Sequence, residues 1–307
     1  GNFYTANLRS AEARDIYILK GGGEEFFEPR FTWHGFRYLK VEGYPGKLTP
    51  GDFTAVALYS AMKPTGSFVT SDSLINRLQH NIQWGQRGNF VDVPTDCPQR
   101  DERLGWTGDA QAFTRTAAFN FNVAAFFSKW LKDLSLDQKQ DGAVPDVIPD
   151  VLNRQDAVTA VPSAGWGDVA TITPWTLYQV YGDIEFLENQ YPSMKAWVEY
   201  IRKKAGDSYI WKGGSKYGDW LFYHPPVNRH SEADGFTERD FISTAFFAYS
   251  TDLLSKTAKV LGNTADEKEY SELFEKIKSV FNREYVTPAG RVGTNSQTSY
   301  VLALMFN

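Results

Sequence analysis

The chain is poor in the residues that staple, ligate or anchor. It has one cysteine, Cys97, among 307 residues, so no internal disulfide can form, and the redox compartment is left open. One cysteine and four histidines do not fall into a zinc-ligand spacing, and no metal or cofactor is expected. There is no run of about twenty apolar residues; charges interrupt even the richest stretch, Ala117 to Leu134, which excludes a membrane-spanning helix. No lysine or arginine block resembles an electrostatic footprint for a phosphate backbone, and the net charge of −5 has mixed signs along the chain, so a nucleic-acid partner is not expected. The first residues, Gly1 to Tyr4, lack a basic region followed by an apolar run, so no signal peptide is read there. Nothing in the sequence sets compartment or oligomeric state.

What the chain does have is apolar and aromatic mass. With 42% hydrophobic and 15% aromatic residues it can bury a large core, and its length allows one to two domains. Aromatic and β-branched residues crowd Phe31 to Tyr44 and Asp52 to Ala61, separated by Pro45-Gly46 and Pro50-Gly51, and Asp15 to Leu19 reads as an earlier strand. Residues 1–67 are therefore expected to be a β-sheet module.

After Pro64-Thr65-Gly66 the period becomes helical. A cap in Ser71-Asp72-Ser73 precedes Leu74, Leu78 and Ile82. Further helices are expected over Asp109 to Leu134, Pro174 to Tyr181, Pro192 to Ile201 and Phe241 to Leu261. Another follows a Thr264/Glu267 capping box, and a last one starts near Ser296. Between them run Asn89 to Gly108, Gln140 to Gly167 and Gly206 to Thr237, rich in Gly, Trp and Asp. Connections in helical bundles usually take about two to eight residues, so segments this long point to function on one face.

The densest reactive stretch is Asp96-Cys97-Pro98-Gln99-Arg100-Asp101-Glu102-Arg103-Leu104-Gly105-Trp106-Thr107-Gly108-Asp109-Ala110-Gln111, with four carboxylates and two arginines. Its prolines and glycines keep it irregular until a helix at Asp109, so its groups can converge on one point. Glycosidic hydrolysis needs an acid for the leaving oxygen, a second carboxylate and hydroxyl-binding groups, and this run can supply the acid and the binders. The competing reading makes Asp109 a helix cap and the Arg-Asp-Glu-Arg run a solvated charge cluster. Trp106, Trp166, Trp175 and Trp220 lie in or beside the loops, where rings can stack on sugars, whereas Trp130 and Trp197 sit at core helix positions.

The Asp96 to Gln111 run resembles the signature of the α-L-rhamnosidases of glycoside hydrolase family 78. Asn7 to Ala11, Glu28 to Tyr38, Gly165-Trp166-Gly167-Asp168 and Tyr217-Gly218-Asp219-Trp220 are similar to family stretches in the same order, so the resemblance spans nearly the whole chain. It implies a mainly α protein, a partial (α/α)6 barrel or six-hairpin toroid over residues 68–307, preceded by part of a β-sandwich domain over 1–67. It implies Glu102 as general acid of an inverting hydrolysis of terminal α-L-rhamnosides. Asp96, Arg100, Trp106 and Asp109 would line the rhamnose subsite, with Trp166 and Trp220 as walls. The family's general base lies later in the barrel than the helix similar to Gln297 to Phe306, so it is expected past Asn307, with Asp168 and Asp219 as substitutes of last resort. Tyr300, Val301 and Leu304 are expected to form an exposed apolar patch. His34, His224, His230 and Cys97 are read as structural or surface residues. Two other readings stay open: a carbohydrate-binding or catalytically incomplete relative, and an inverting hydrolase for another hexose.

Overall fold

The computed structural model describes residues 3–152, 162–219 and 237–306. The chain divides into two compact units, Gly1–Ala61 with Phe68–Gly105, and Met62–Ser67 with Trp106–Asn307.

In the first unit, helix α1 spans Ser73–Asn89 and is capped by Asp72, whose carboxylate accepts from the amides of Leu74 at 2.8 Å and Ile75 at 3.4 Å. A two-residue antiparallel pair follows, β1 (Phe90–Val91) with β2 (Val93–Pro94), turning at Asp92 with φ 67°. The strands expected at Asp15 to Leu19, Phe31 to Tyr44 and Asp52 to Ala61 form no ladder, and large apolar side chains along this stretch, among them Ile18, Phe26 and Phe31, are exposed. The physical reason is that alternation of aromatic and β-branched residues states a preference for a pleated, half-covered surface, whereas a ladder needs a run of successive bonds to a neighbouring strand; among the described residues the contact of this stretch with β1 is a single backbone bond, from the Ser60 amide to the Phe90 carbonyl at 2.8 Å.

The second unit is helical. Its elements are α2 (Thr107–Asn120), α3 (Ala124–Asp137), α4 (Val169–Tyr181), α5 (Glu185–Ala205), α6 (Arg239–Val260), α7 (Thr264–Tyr285) and α8 (Gln297–Met305). One row of contacts joins α2, α4, α6 and α8; α3 packs on α5, and α7 packs along α6. This alternation of facing helices is the pattern of stacked helical hairpins. Trp130, Trp197, Phe127, Leu134, Met194, Phe241 and Ile277 are fully buried, so Trp130 and Trp197 are core residues as expected.

Several boundaries differ from the sequence expectation. The helix expected over Asp109 to Leu134 is two helices, because Phe121 leaves helical geometry to bridge Pro64. The 62–67 segment also exchanges hydrogen bonds with the break: the Thr65 amide donates to the Asn120 carbonyl at 3.1 Å, and the Asn122 amide to the Lys63 carbonyl at 2.8 Å. Helices α4 and α5 start upstream of Pro174 and Pro192 and contain them, since burial of Val169, Ala170, Phe186 and Leu187 outweighs the about 3 kcal/mol penalty of an interior proline. Helix α7 is capped by the Asn263 side chain on the Asp266 amide at 3.3 Å, not by Thr264. Helix α8 starts at the expected place, with Ser296 and Ser299 forming a reciprocal capping box. Of the expected apolar patch on α8, Val301 and Leu304 are exposed, while Tyr300 packs half-buried against the α6–α7 core. Among the described residues no helix is long and apolar enough to cross a membrane.

Candidate active site

In the first unit the signature run forms a loop closed at its neck by Asp96. The Asp96 amide donates to the Leu104 carbonyl at 3.1 Å, and the Asp96 carboxylate accepts from the Leu104 amide at 3.0 Å. Pro98 inside the loop lies so close to Gly35 that a Cβ there would stand 2.8 Å from the Pro98 carbonyl oxygen. Arg103 adopts φ 43°; its amide donates to the Cys97 sulfur at 3.4 Å and its guanidinium to the Trp33 carbonyl at 3.0 Å. These contacts fix the loop on both sides of residues 100–102.

Arg100 is the hub of the loop. Its guanidinium donates to Asp96 at 3.2 Å and to Glu102 Oε2 at 3.0 Å. Glu102 Oε2 also accepts from Arg9 Nη1 at 2.9 Å, and 25% of the Glu102 side chain is exposed, against 6% for Asp96. Asp101 turns to Ser10, whose hydroxyl and amide both donate to it, and the hydroxyl bond foremost holds the Asp101 carboxyl below the usual carboxylate range. Asp96, Arg100 and Glu102 are thus brought together, with both carboxylates served by one guanidinium.

One ligand atom each from Asp96, Cys97 and Glu102 fall within 4.8 Å of one another. The trio is ill suited to a cation: Arg100 already supplies positive charge to both carboxylates, and burial pushes the Cys97 thiol up, away from the thiolate a metal would bind. His34 pairs with Asp15 at 3.0 Å, a local structural contact.

In the second unit Trp106 precedes α2 and bridges Val147. The Asp146 carbonyl receives both the amide and the hydroxyl of Thr107 at 2.9 Å. The buried Asp146 carboxylate accepts from the Tyr217 hydroxyl at 2.8 Å and the Ser163 amide at 3.2 Å; burial pushes its own ionisation up, and that of Tyr217 as well. The Tyr217 ring stands edge-on to Trp106 at 6.0 Å and lies 4.3 Å from Trp166. Helix α2 begins at Thr107, so Gly108 lies in its first turn instead of delaying the helix. Glycine is needed there because a Cβ would stand 2.8 Å from the Trp166 ring.

The Trp106 and Trp166 indole nitrogens and the Gln111 amide oxygen are buried and find no partner among the described residues. Asp109 is exposed as the third residue of α2, so the helix cap expected in the competing reading is not its role. Trp175 lies in α4, as the helix expected over Pro174 to Tyr181 implies, its ring tilted by 46° against that of Tyr178 at 5.6 Å. Trp220, His224 and His230 lie outside the described residues.

Asp168 is fully buried. It accepts from the Trp197 indole at 3.0 Å, the Ser250 hydroxyl at 2.5 Å and the Gly165 amide at 2.8 Å, tying α5 and α6 to the turn that precedes α4. Asp219 accepts from the Thr237 amide at 3.1 Å and hydroxyl at 2.6 Å. The sequence reading missed Arg9, Ser10, Asp146 and Tyr217 as partners of the site residues. The similar stretches at Asn7 to Ala11 and Tyr217 to Trp220 were the signal for three of them; Asp146 had none.

Comparison with known proteins supplies the remaining findings. Residues 63–307 match the bacterial alpha-L-rhamnosidase 6 hairpin glycosidase domain, and residues 1–59 the bacterial alpha-L-rhamnosidase concanavalin-like domain. The chain is 46% identical over its full length to an alpha-L-rhamnosidase of Streptomyces avermitilis and 42% identical to one of Formosa agariphila, spanning 28% and 32% of those proteins. Among solved structures, the Streptomyces avermitilis alpha-L-rhamnosidase complexed with L-rhamnose superposes with a TM-score of 0.89 at 45% identity, over 100% of this chain and 28% of that one. The Aspergillus terreus alpha-L-rhamnosidase gives 0.82 at 38% identity over 91% of this chain and 32% of that one.

Proposed function

Because the chain belongs to the bacterial α-L-rhamnosidase six-hairpin glycosidase family, we propose that it carries the acid half of an inverting hydrolysis of terminal α-L-rhamnosides. Glu102 is the general acid. Water attacks the anomeric carbon, the glycosidic C–O bond breaks, and the departing oxygen takes the Glu102 proton while a second carboxylate accepts the proton of the water. In an inverting site the two carboxyl groups stand about 6.5–9.5 Å apart. Asp168 and Asp219 are poor second carboxylates, since internal donors already occupy them. No cofactor enters this chemistry.

The observation that carries the reading is the hold on Glu102. Both guanidiniums bind Oε2, which leaves Oε1 to carry the proton, and a quarter of the side chain stays open to a ligand. Asp96 and Arg100 are proposed to bind the sugar as well as to brace the loop. Trp106, Asp109, Trp166 and Trp220 are proposed substrate-binding residues; in support, the buried indole N–H groups of Trp106 and Trp166 find no partner among the described residues. The domain division near residue 67 belongs to the same proposal; in its support, the two family matches meet between residues 59 and 63.

The test is Glu102→Gln. It keeps fold and rhamnose binding but lowers turnover by about 10²-fold or more on substrates whose aglycone must be protonated. Unchanged turnover would remove Glu102 from the mechanism. Proton NMR of the first sugar released reports stereochemistry, and an initial product of retained configuration would overturn inversion.

A further inference from the structure

We propose that Arg9 and Ser10 are positioning residues that clamp the acid-bearing loop, a role that rests on the reading of Glu102 as the general acid. Two successive residues hold two successive residues far along the chain. Arg9 Nη1 donates to Glu102 Oε2 at 2.9 Å, and the Ser10 amide donates to Asp101 at 3.3 Å, with the Ser10 hydroxyl on the same carboxylate oxygen. The turn that presents them is built for it. Arg9 follows a short 3-10 helix, Ala6–Leu8, its amide donating to the Ala6 carbonyl at 3.3 Å, and the chain turns back with the Ala11 amide on the Leu8 carbonyl at 3.1 Å.

Arg9 adopts φ 57° and ψ −120°, a conformation that costs a residue bearing a Cβ and persists only where surrounding contacts impose it. The Arg9 side chain is 56% exposed, so its ion pair adds little to stability. Orientation is another matter, since misplacing a reacting group by about 1 Å can cost about 10²-fold in rate. Arg100 approaches Glu102 from within the loop, two residues away, and Arg9 from outside it. Together they fix Oε2 from two directions and thereby set where Oε1 points. Arg100 is itself part of the loop, so the hold on the Glu102 carboxylate from outside it comes from Arg9.

The experiment compares Arg9→Met, Arg9→Lys and Ser10→Ala with Glu102→Gln in the polypeptide as it occurs naturally. Two substrates are used: 4-nitrophenyl α-L-rhamnoside, whose aglycone leaves with little protonation, and methyl α-L-rhamnoside, whose alcohol needs the acid. Arg9→Met is expected to lower kcat about 10-fold or more on the methyl glycoside, with KM nearly constant and the nitrophenyl glycoside little affected. Arg9→Lys recovers part of the loss, Ser10→Ala shows a smaller loss of the same selectivity, and the urea midpoint is unmoved throughout. Equal losses on both substrates, or none, while Glu102→Gln keeps its leaving-group selectivity, would overturn the clamp and leave the acid in place. Absence of that selectivity in Glu102→Gln would overturn the acid reading and the clamp with it.

Discussion

Asp168 offers a sharp test of how the helical unit is held together. Its carboxylate is the shared acceptor of the Trp197 indole, the Ser250 hydroxyl and the Gly165 amide, inside a fully buried site. Truncation by Asp168→Ala leaves the indole and amide donors without acceptors. Ser250 keeps a partner, because its hydroxyl also meets that of Thr171 at 2.8 Å. Two orphaned buried donors at about 1–3 kcal/mol each give an expected loss of about 4 kcal/mol, a large part of the about 5–15 kcal/mol typical of a folded protein. Asp168→Asn is milder, about 1–3 kcal/mol, since its amide group must set an N–H against one of the three donors.

The pH dependence adds an independent check. Burial, the largest influence, pushes the Asp168 carboxyl above the ordinary carboxylate range, and the three hydrogen bonds oppose it. A carboxyl raised in the folded state contributes stability that is fully present below its unfolded pKa of about 3.9 and is lost as pH rises through the folded value. The stability gap between wild type and Asp168→Asn should therefore narrow from about pH 4 towards neutrality. Urea unfolding followed by far-ultraviolet circular dichroism measures both effects. A loss below about 1 kcal/mol for the alanine variant, or a gap that widens with pH, would refute the reasoning.

Two further expectations follow from close packing. Gly108→Ala gains helix propensity of about 1 kcal/mol but drives a methyl into the Trp166 ring at an overpacking cost of about 1–3 kcal/mol, so stability should fall by about 2 kcal/mol or less while KM for a rhamnoside rises about 10-fold; an unchanged KM would separate Trp166 from substrate binding. Cys97 is 4% exposed, and burial pushes its thiol up, so Ellman's reagent at pH 8 should label it readily only in denaturant; fast labelling of the folded protein would contradict its burial.

The sequence by itself determined what depends on neighbours close along the chain. The change to helical period near residue 67, the capped starts of α1 and α8, the end of α4 at Gly182 and the apolar faces holding Trp130 and Trp197 were legible, because caps, glycine turns and a 3.6-residue period act within a few residues. The signature run was legible too, as an ordered string of side chains. Only tertiary structure decided who partners whom over distance. The 62–67 segment breaks the helix at Phe121; buried faces carry α4 and α5 through Pro174 and Pro192; the aromatic segments before residue 62 form no ladder among the described residues. Asp168 is committed to three internal donors, and Arg9 reaches Glu102 across 93 positions. Contacts of that separation are set by how buried surfaces close on one another and by which polar groups then need partners, and neither is encoded in any short stretch of sequence.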